Sequence, residues 1–148
     1  MELDLPTLAA TEALARTLAA QLHPGDAVLL EGPLGAGKTA LARALLRAAC
    51  GDPALEVPSP SYTLVQSYAA RGLTVHHFDL WRLQGPASLV ELGWDEAVRD
   101  VVLVEWPDRL GALRPPGALT VTMSLACGEA RHAVLTGWAD RLSGMGIA

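Results

Sequence analysis

The chain contains a single lysine, and it falls inside Gly32-Pro33-Leu34-Gly35-Ala36-Gly37-Lys38-Thr39. That segment satisfies G-x-x-x-x-G-K-[ST], where glycine-permitted turns aim successive backbone N–H groups at phosphate oxygens. The other ten basic residues are all arginine. An ammonium is a compact point charge that enters a ring of amides, a space a planar guanidinium fits badly. Lys38 is thus read as the bridge to β- and γ-phosphate charge, and the Thr39 hydroxyl as a ligand for Mg²⁺. The positive dipole end of a helix starting near Gly37 adds to the attraction.

A metal held on a triphosphate also needs a carboxylate from a neighbouring buried strand end. Glu105 follows Val101-Val102-Leu103-Val104, and Asp79 follows Val75-His76-His77-Phe78. The first run is more uniformly apolar, so Glu105 is the favoured ligand, directly or through water, with Asp79 as the alternative. Ser59-Pro60-Ser61-Tyr62-Thr63 lies where many phosphate-loop proteins carry a phosphate-sensing switch; by itself the composition marks only a loop. His76 and His77 are adjacent, so on a strand they face opposite ways and cannot share one metal. Trp81, Trp94, Trp106 and Trp138 read as packing area.

These residues need elements to hold them. Thr7 to Leu22 reads as an amphipathic helix with Leu8, Ala15, Leu18 and Leu22 on its stripe, stopped by His23-Pro24-Gly25. Ala27 to Glu31 has strand length and feeds the glycine loop. Lys38 to Cys50 is Ala-, Leu- and Arg-rich and ends at Gly51-Asp52-Pro53, a helix. Tyr62 to Tyr68 and Leu73 to Leu80 suggest a hairpin. Short helical stretches follow at Ala87–Leu92 and Trp94–Arg99, then the buried strand Val101–Val104. The rest reads as strand (Leu119–Leu125), turn (Cys127-Gly128-Glu129), strand (Ala130–Thr136) and a short terminal helix. The expected fold is α/β of the P-loop NTPase type, with a central mainly parallel sheet, flanking helices and an antiparallel hairpin. Residues 1–148 are expected to form a single domain.

Composition sets limits. At 148 residues with a 51% apolar fraction, the chain has enough material for a core. The formal charge of −5 opposes autonomous binding of nucleic acid, so any link to RNA is expected to pass through a partner. Cys50 and Cys127 have no metal-ligand spacing and read as buried free thiols of a reducing compartment. No apolar run reaches the ~18–20 residues that span a bilayer. The acidic N-terminus (Glu2, Asp4) lacks the basic region of a signal peptide. The expected location is the cytoplasm.

Taken together, Gly32 to Thr39, Ser59-Pro60-Ser61-Tyr62-Thr63-Leu64-Val65, His77-Phe78-Asp79-Leu80-Trp81-Arg82-Leu83 and Leu103-Val104-Glu105-Trp106-Pro107 resemble the bacterial TsaE (formerly YjeE) family. The resemblance covers nearly the whole chain in order. It implies a small ATPase that supports threonylcarbamoyladenosine formation on tRNAs reading ANN codons, acting with TsaD and TsaB subunits and touching tRNA only through that complex. It implies ATP and Mg²⁺ as ligands, with no membrane association. Carried over by position, Gly35, Ala36, Gly37, Lys38, Thr39 and Ala40 bind the phosphates, and Thr39 and Glu105 hold Mg²⁺. Lys38, Asp79 and Glu105 form the hydrolytic set, and Ser61 and Thr63 belong to the switch. Thr11 matches a threonine near the adenine. The C-terminal third matches only loosely, with Gly128 and Arg131 placed where they could reach the nucleotide. Trp81 stands where the family usually has tyrosine, and Ser61 where it usually has threonine.

Two other functions fit a phosphate loop. A small-molecule kinase needs a basic lid, and the arginines here are scattered. A nucleotide-gated binding module needs occupancy without hydrolysis. The absence of a guanine-reading Asn-Lys-x-Asp leans toward adenine.

Overall fold

The structure, a computed structural model, describes residues 1–146. Seven strands form one sheet: β1 (Glu2–Leu5), β2 (Ala27–Glu31), β3 (Val65–Ala70), β4 (Leu73–Asp79), β5 (Val101–Glu105), β6 (Leu119–Leu125) and β7 (Arg131–Thr136). Their spatial order is β1-β7-β6-β2-β5-β4-β3. The four central strands β6, β2, β5 and β4 run parallel, while β3 pairs antiparallel with β4 and β7 pairs antiparallel with both β6 and β1. The expected mainly parallel sheet and the β3–β4 hairpin are both present.

Parallel strands are covered on both faces, so they read as unbroken apolar runs. In β2, Val28 and Leu30 face one core while Ala27 and Leu29 face the other. In β5, Val101 and Leu103 are set against Val102 and Val104 in the same way. The first core is covered by α1 (Leu8–Ala19) and α2 (Lys38–Cys50), through Leu14, Ala15, Leu18, Leu41, Leu45 and Leu46. The second lies under α3 (Ala87–Glu91), α4 (Trp94–Ala97) and the 3₁₀ segment Pro107–Leu113, with Phe78 and Trp94 in an edge-on pair at 5.0 Å. A final helix, α5 (Ala139–Gly144), buries Leu142 in the first core.

Several details depart from expectation. Thr7 is the N-cap of α1, accepting a hydrogen bond from the Ala10 N–H, so the helix starts one residue later. Leu8 is exposed there, and the buried stripe is Thr11, Leu14, Ala15 and Leu18. Strand β3 begins at Val65 and not at Tyr62. The preceding residues turn, with the Leu64 N–H on the Pro60 carbonyl and Leu64 itself at φ +68°. Strand β1 had no counterpart in the sequence reading. The two cysteines are free but not a buried pair: Cys50 is half-buried and Cys127 is exposed in the β6–β7 turn. No helix among the described residues is long and apolar enough to cross a membrane.

Candidate functional site

In an open parallel sheet, the crevice forms at the carboxyl ends of the strands. Here β2 lies between β5 and β6, and its carboxyl end runs into the glycine loop and α2. The loop depends on left-handed backbone. Gly37 caps α2 at φ +100° and Gly35 sits at φ +80°. Gly32 is at φ +136°, and a Cβ there would lie 2.2 Å from the Met123 carbonyl oxygen on β6. Gly32→Ala is therefore expected to destabilise the chain by about 2–3 kcal/mol, combining backbone strain with a backbone clash. A melting temperature lower by roughly 5–10 °C would register it; an unchanged melt would show that the loop tolerates a side chain.

The loop opens on a cleft of about 320 Å³. Its lining includes Gly35, Gly37, Lys38 and Thr39 from the loop, Ser59 and Ser61 from the proline-rich segment, Asp79 and Trp81 from the end of β4, and Glu105 and Trp106 from the end of β5. Asp79 and Glu105 are direct partners in the β4–β5 register, which sets the two carboxylates side by side. Both are buried, at 5% and 2% exposure. The Thr39 hydroxyl donates to Glu105 Oε1 at 3.2 Å. On the other side of the same carboxylate, His77 Nε2 lies 2.8 Å from Oε2.

Lys38 is buried at 5% exposure, with its ammonium donating to the Gly32 carbonyl and lying 3.3 Å from the centre of the Trp106 ring. Burial pushes its pKa below the usual lysine range, while Glu105, Asp79 and Asp108 pull it back up. Trp106 occupies the left-handed region at φ +59° and packs against Trp81 at 4.4 Å between ring centres. A left-handed tryptophan is costly backbone, a form of strain that concentrates at functional sites.

Asp79 organises the proline-rich segment. Its Oδ2 accepts hydrogen bonds from Ser59 Oγ at 3.2 Å and Ser61 Oγ at 3.3 Å, and its Oδ1 accepts the Trp81 N–H at 3.1 Å. Composition marks Ser59 to Thr63 only as a loop; the geometry attaches its Ser59 and Ser61 to the carboxylate. Thr63 is exposed outside the cleft lining. Ala36 is fully buried behind the loop, and Ala40 lies in the first turn of α2. Thr11, buried on α1, also lies outside the lining. Gly128 is exposed in the β6–β7 turn, and Arg131 donates from Nη1 to the carbonyls of Gly128 and Ala130. The Arg131 side chain backs Gly37, where a Cβ would lie 3.7 Å from its Cγ.

Sequence reasoning missed three features of the site. His77 and Trp106 stand inside the segments that carry the family resemblance, but nothing in those segments pairs His77 with Glu105 or Trp106 with Lys38. Ser59 was part of the loop but not a named site residue, and only the β4 register brings Asp79 to it.

The donor set suits a hard divalent cation: a hydroxyl and a carboxylate oxygen, with two buried carboxylates near one ammonium. Thr39 and Glu105 are the residues that would hold such a cation. The glycine loop and Lys38 suit a polyphosphate.

Comparison with known proteins bears on the whole chain. Residues 5–133 match the family model "Threonylcarbamoyl adenosine biosynthesis protein TsaE". A Rickettsia conorii protein named tRNA threonylcarbamoyladenosine biosynthesis protein TsaE is 40% identical over 114 residues, 76% of this chain and 65% of its own length. The chain thus spans just under two thirds of that relative. A Bacillus subtilis protein of the same name is 32% identical over 133 residues, covering 88% of this chain and 82% of the relative. The crystal structure of Bacillus subtilis YdiB superposes with a TM-score of 0.76 at 27% identity, covering 98% of this chain and 90% of the other. With the family model spanning the sheet from β1 into β7, the chain belongs to the TsaE family of threonylcarbamoyladenosine biosynthesis proteins.

Proposed function

We propose that the chain binds Mg–ATP in this cleft and hydrolyses it slowly, serving tRNA threonylcarbamoyladenosine formation with TsaD- and TsaB-type subunits in the cytoplasm. The observation that carries the reading is the meeting of Thr39 Oγ1 and Glu105 Oε1 at the mouth of a glycine loop whose lysine is buried beside them.

Loop N–H groups and Lys38 take the β- and γ-phosphate oxygens and offset charge that builds during transfer. Thr39 and Glu105 hold Mg²⁺, which when bound neutralises phosphate charge. Asp79 orients the attacking water, or transmits γ-phosphate occupancy to the serines it holds. Trp81 and Trp106 wall the cleft and limit solvent. Among the described residues no arginine lines the cleft. Further positive charge at the γ-phosphate would then come from a partner, and slow turnover is expected of the chain alone. It also weighs against a small-molecule kinase, whose basic lid would close over both substrates. The net charge of −5 fits contact with tRNA through the partner complex.

Calorimetry with ATP in the presence and absence of Mg²⁺, followed by steady-state hydrolysis with and without the partner subunits, tests the reading. Magnesium-dependent uptake and partner-stimulated phosphate release are expected. No uptake by folded chain would overturn it, and fast hydrolysis by the chain alone would overturn the role given to partners.

A further inference from the structure

His77 is one of the most buried polar residues of the chain, at 1% exposure, and it takes no part in the mechanism above. It sits on β4 opposite Leu103, and Val75, His77 and Asp79 point to the same face. From there its ring reaches diagonally across the β4–β5 pair to Glu105. A carboxylate only accepts, so the proton on this 2.8 Å contact belongs to His77 Nε2. The other ring nitrogen, Nδ1, is buried with no hydrogen-bond partner among the described residues. Such orphans are uncommon in folded chains and call for an explanation. Here the ring turns Nε2 to Glu105 and leaves Nδ1 without a partner.

We infer that His77 is a positioning residue for the metal-side carboxylate: its Nε2–H pins Glu105 Oε2 so that Oε1 stays turned toward Thr39. The inference rests on the Mg–ATP reading of the cleft. A glutamate side chain has three rotatable bonds, and a strand-end carboxylate free to swing would leave a cation with one firm protein ligand. The hydrogen bond is charge-assisted and dry, which favours a single orientation. Both oxygens of Glu105 are then assigned, one to the imidazole and one to the hydroxyl. Ring partners of this kind tune metal sites although they do not touch the metal.

Three substitutions separate positioning from bulk. Glutamine carries an N–H at about the reach of Nε2, asparagine carries one that stops near Nδ1, and leucine fills space with no donor. In calorimetry, His77→Leu and His77→Asn are expected to weaken Mg²⁺ binding to the ATP-loaded chain by about 10–100-fold, with His77→Gln within about threefold of the unaltered chain. Uptake of ATP in excess chelator, which depends on the loop and Lys38, is expected to be unchanged in all three. If leucine at this buried position prevents folding, the glutamine–asparagine contrast decides alone. Nitrogen NMR of the unaltered chain gives an independent reading, with the proton expected on Nε2. A proton on Nδ1 with none on Nε2 would overturn the inference, as would equal Mg²⁺ binding by the glutamine and asparagine variants. A loss in chelator matching the loss with Mg²⁺ would also overturn it, reducing His77 to packing. Should the unaltered chain take up no Mg–ATP at all, the reading of the cleft fails first and the inference falls with it.

Discussion

Lys38→Ala is expected to leave a folded chain that takes up Mg–ATP about 30- to 4,000-fold more weakly, from the roughly 2–5 kcal/mol lost when one member of a desolvated charge pair is removed. Lys38 is 5% exposed and lines the cleft beside the loop glycines, and no other lysine or arginine among the described residues lines it. The same change is not expected to weaken the fold. Burial holds the Lys38 pKa below its usual value, which means the unfolded chain holds this proton more tightly than the folded one. The Lys38 contribution to stability therefore rises with pH between the lowered folded value and the unfolded value of 10.5, against the opposite contributions of Cys50 and Tyr68, whose pKa values burial raises. In the alanine variant the Lys38 contribution should disappear, so stability should fall more steeply with alkaline pH than in the unaltered chain. Calorimetry and thermal melts across alkaline pH check both statements; retained Mg–ATP affinity would remove the lysine from the site.

Asp79→Asn is expected to separate binding from turnover. The amide keeps the size of the carboxylate and one acceptor for the Trp81 N–H, but it turns an acceptor of two serine hydroxyls into a donor. Mg–ATP affinity should change little, because the loop and Glu105 are untouched. Partner-stimulated hydrolysis should fall by about 100-fold or more, the usual scale for losing a positioned proton acceptor. Single-turnover measurements with saturating nucleotide would isolate that step. Unchanged turnover would leave Asp79 as a cap for the β4 turn and a peg for the serine segment. A parallel loss of tRNA modification would exclude a module that works by occupancy alone.

The legible parts of this molecule were the local ones. The glycine loop declared itself because strand, turn and helix lie within some two dozen consecutive residues, Ala27 to Cys50. Glu105 stood out because β5 is buried on both faces and so written as an unbroken apolar run. Strand β6 falls on Leu119–Leu125, where composition put it. The illegible parts depend on distant partners. Strand β1 is only four residues long and earns its place by pairing with β7, from Glu2 opposite Val134 to Leu5 opposite Arg131. The hydrogen bonds from Ser59 to Asp79 and from His77 to Glu105 join residues 20 and 28 positions apart. Leu8 misled because the first apolar residue after a cap can face solvent while the stripe forms one turn later. No local pattern announces Trp106 under Lys38, since a tryptophan in left-handed backbone runs against its own preference.

The lysine's resting contacts have a kinetic meaning. Its ammonium already has a carbonyl and an aromatic face within its own chain. An arriving anion must evict these internal rivals, and a departing one is replaced by them without leaving a bare charge behind. Ligand exchange at this position is then a trade of one set of contacts for another, with the lysine's charge compensated at both ends.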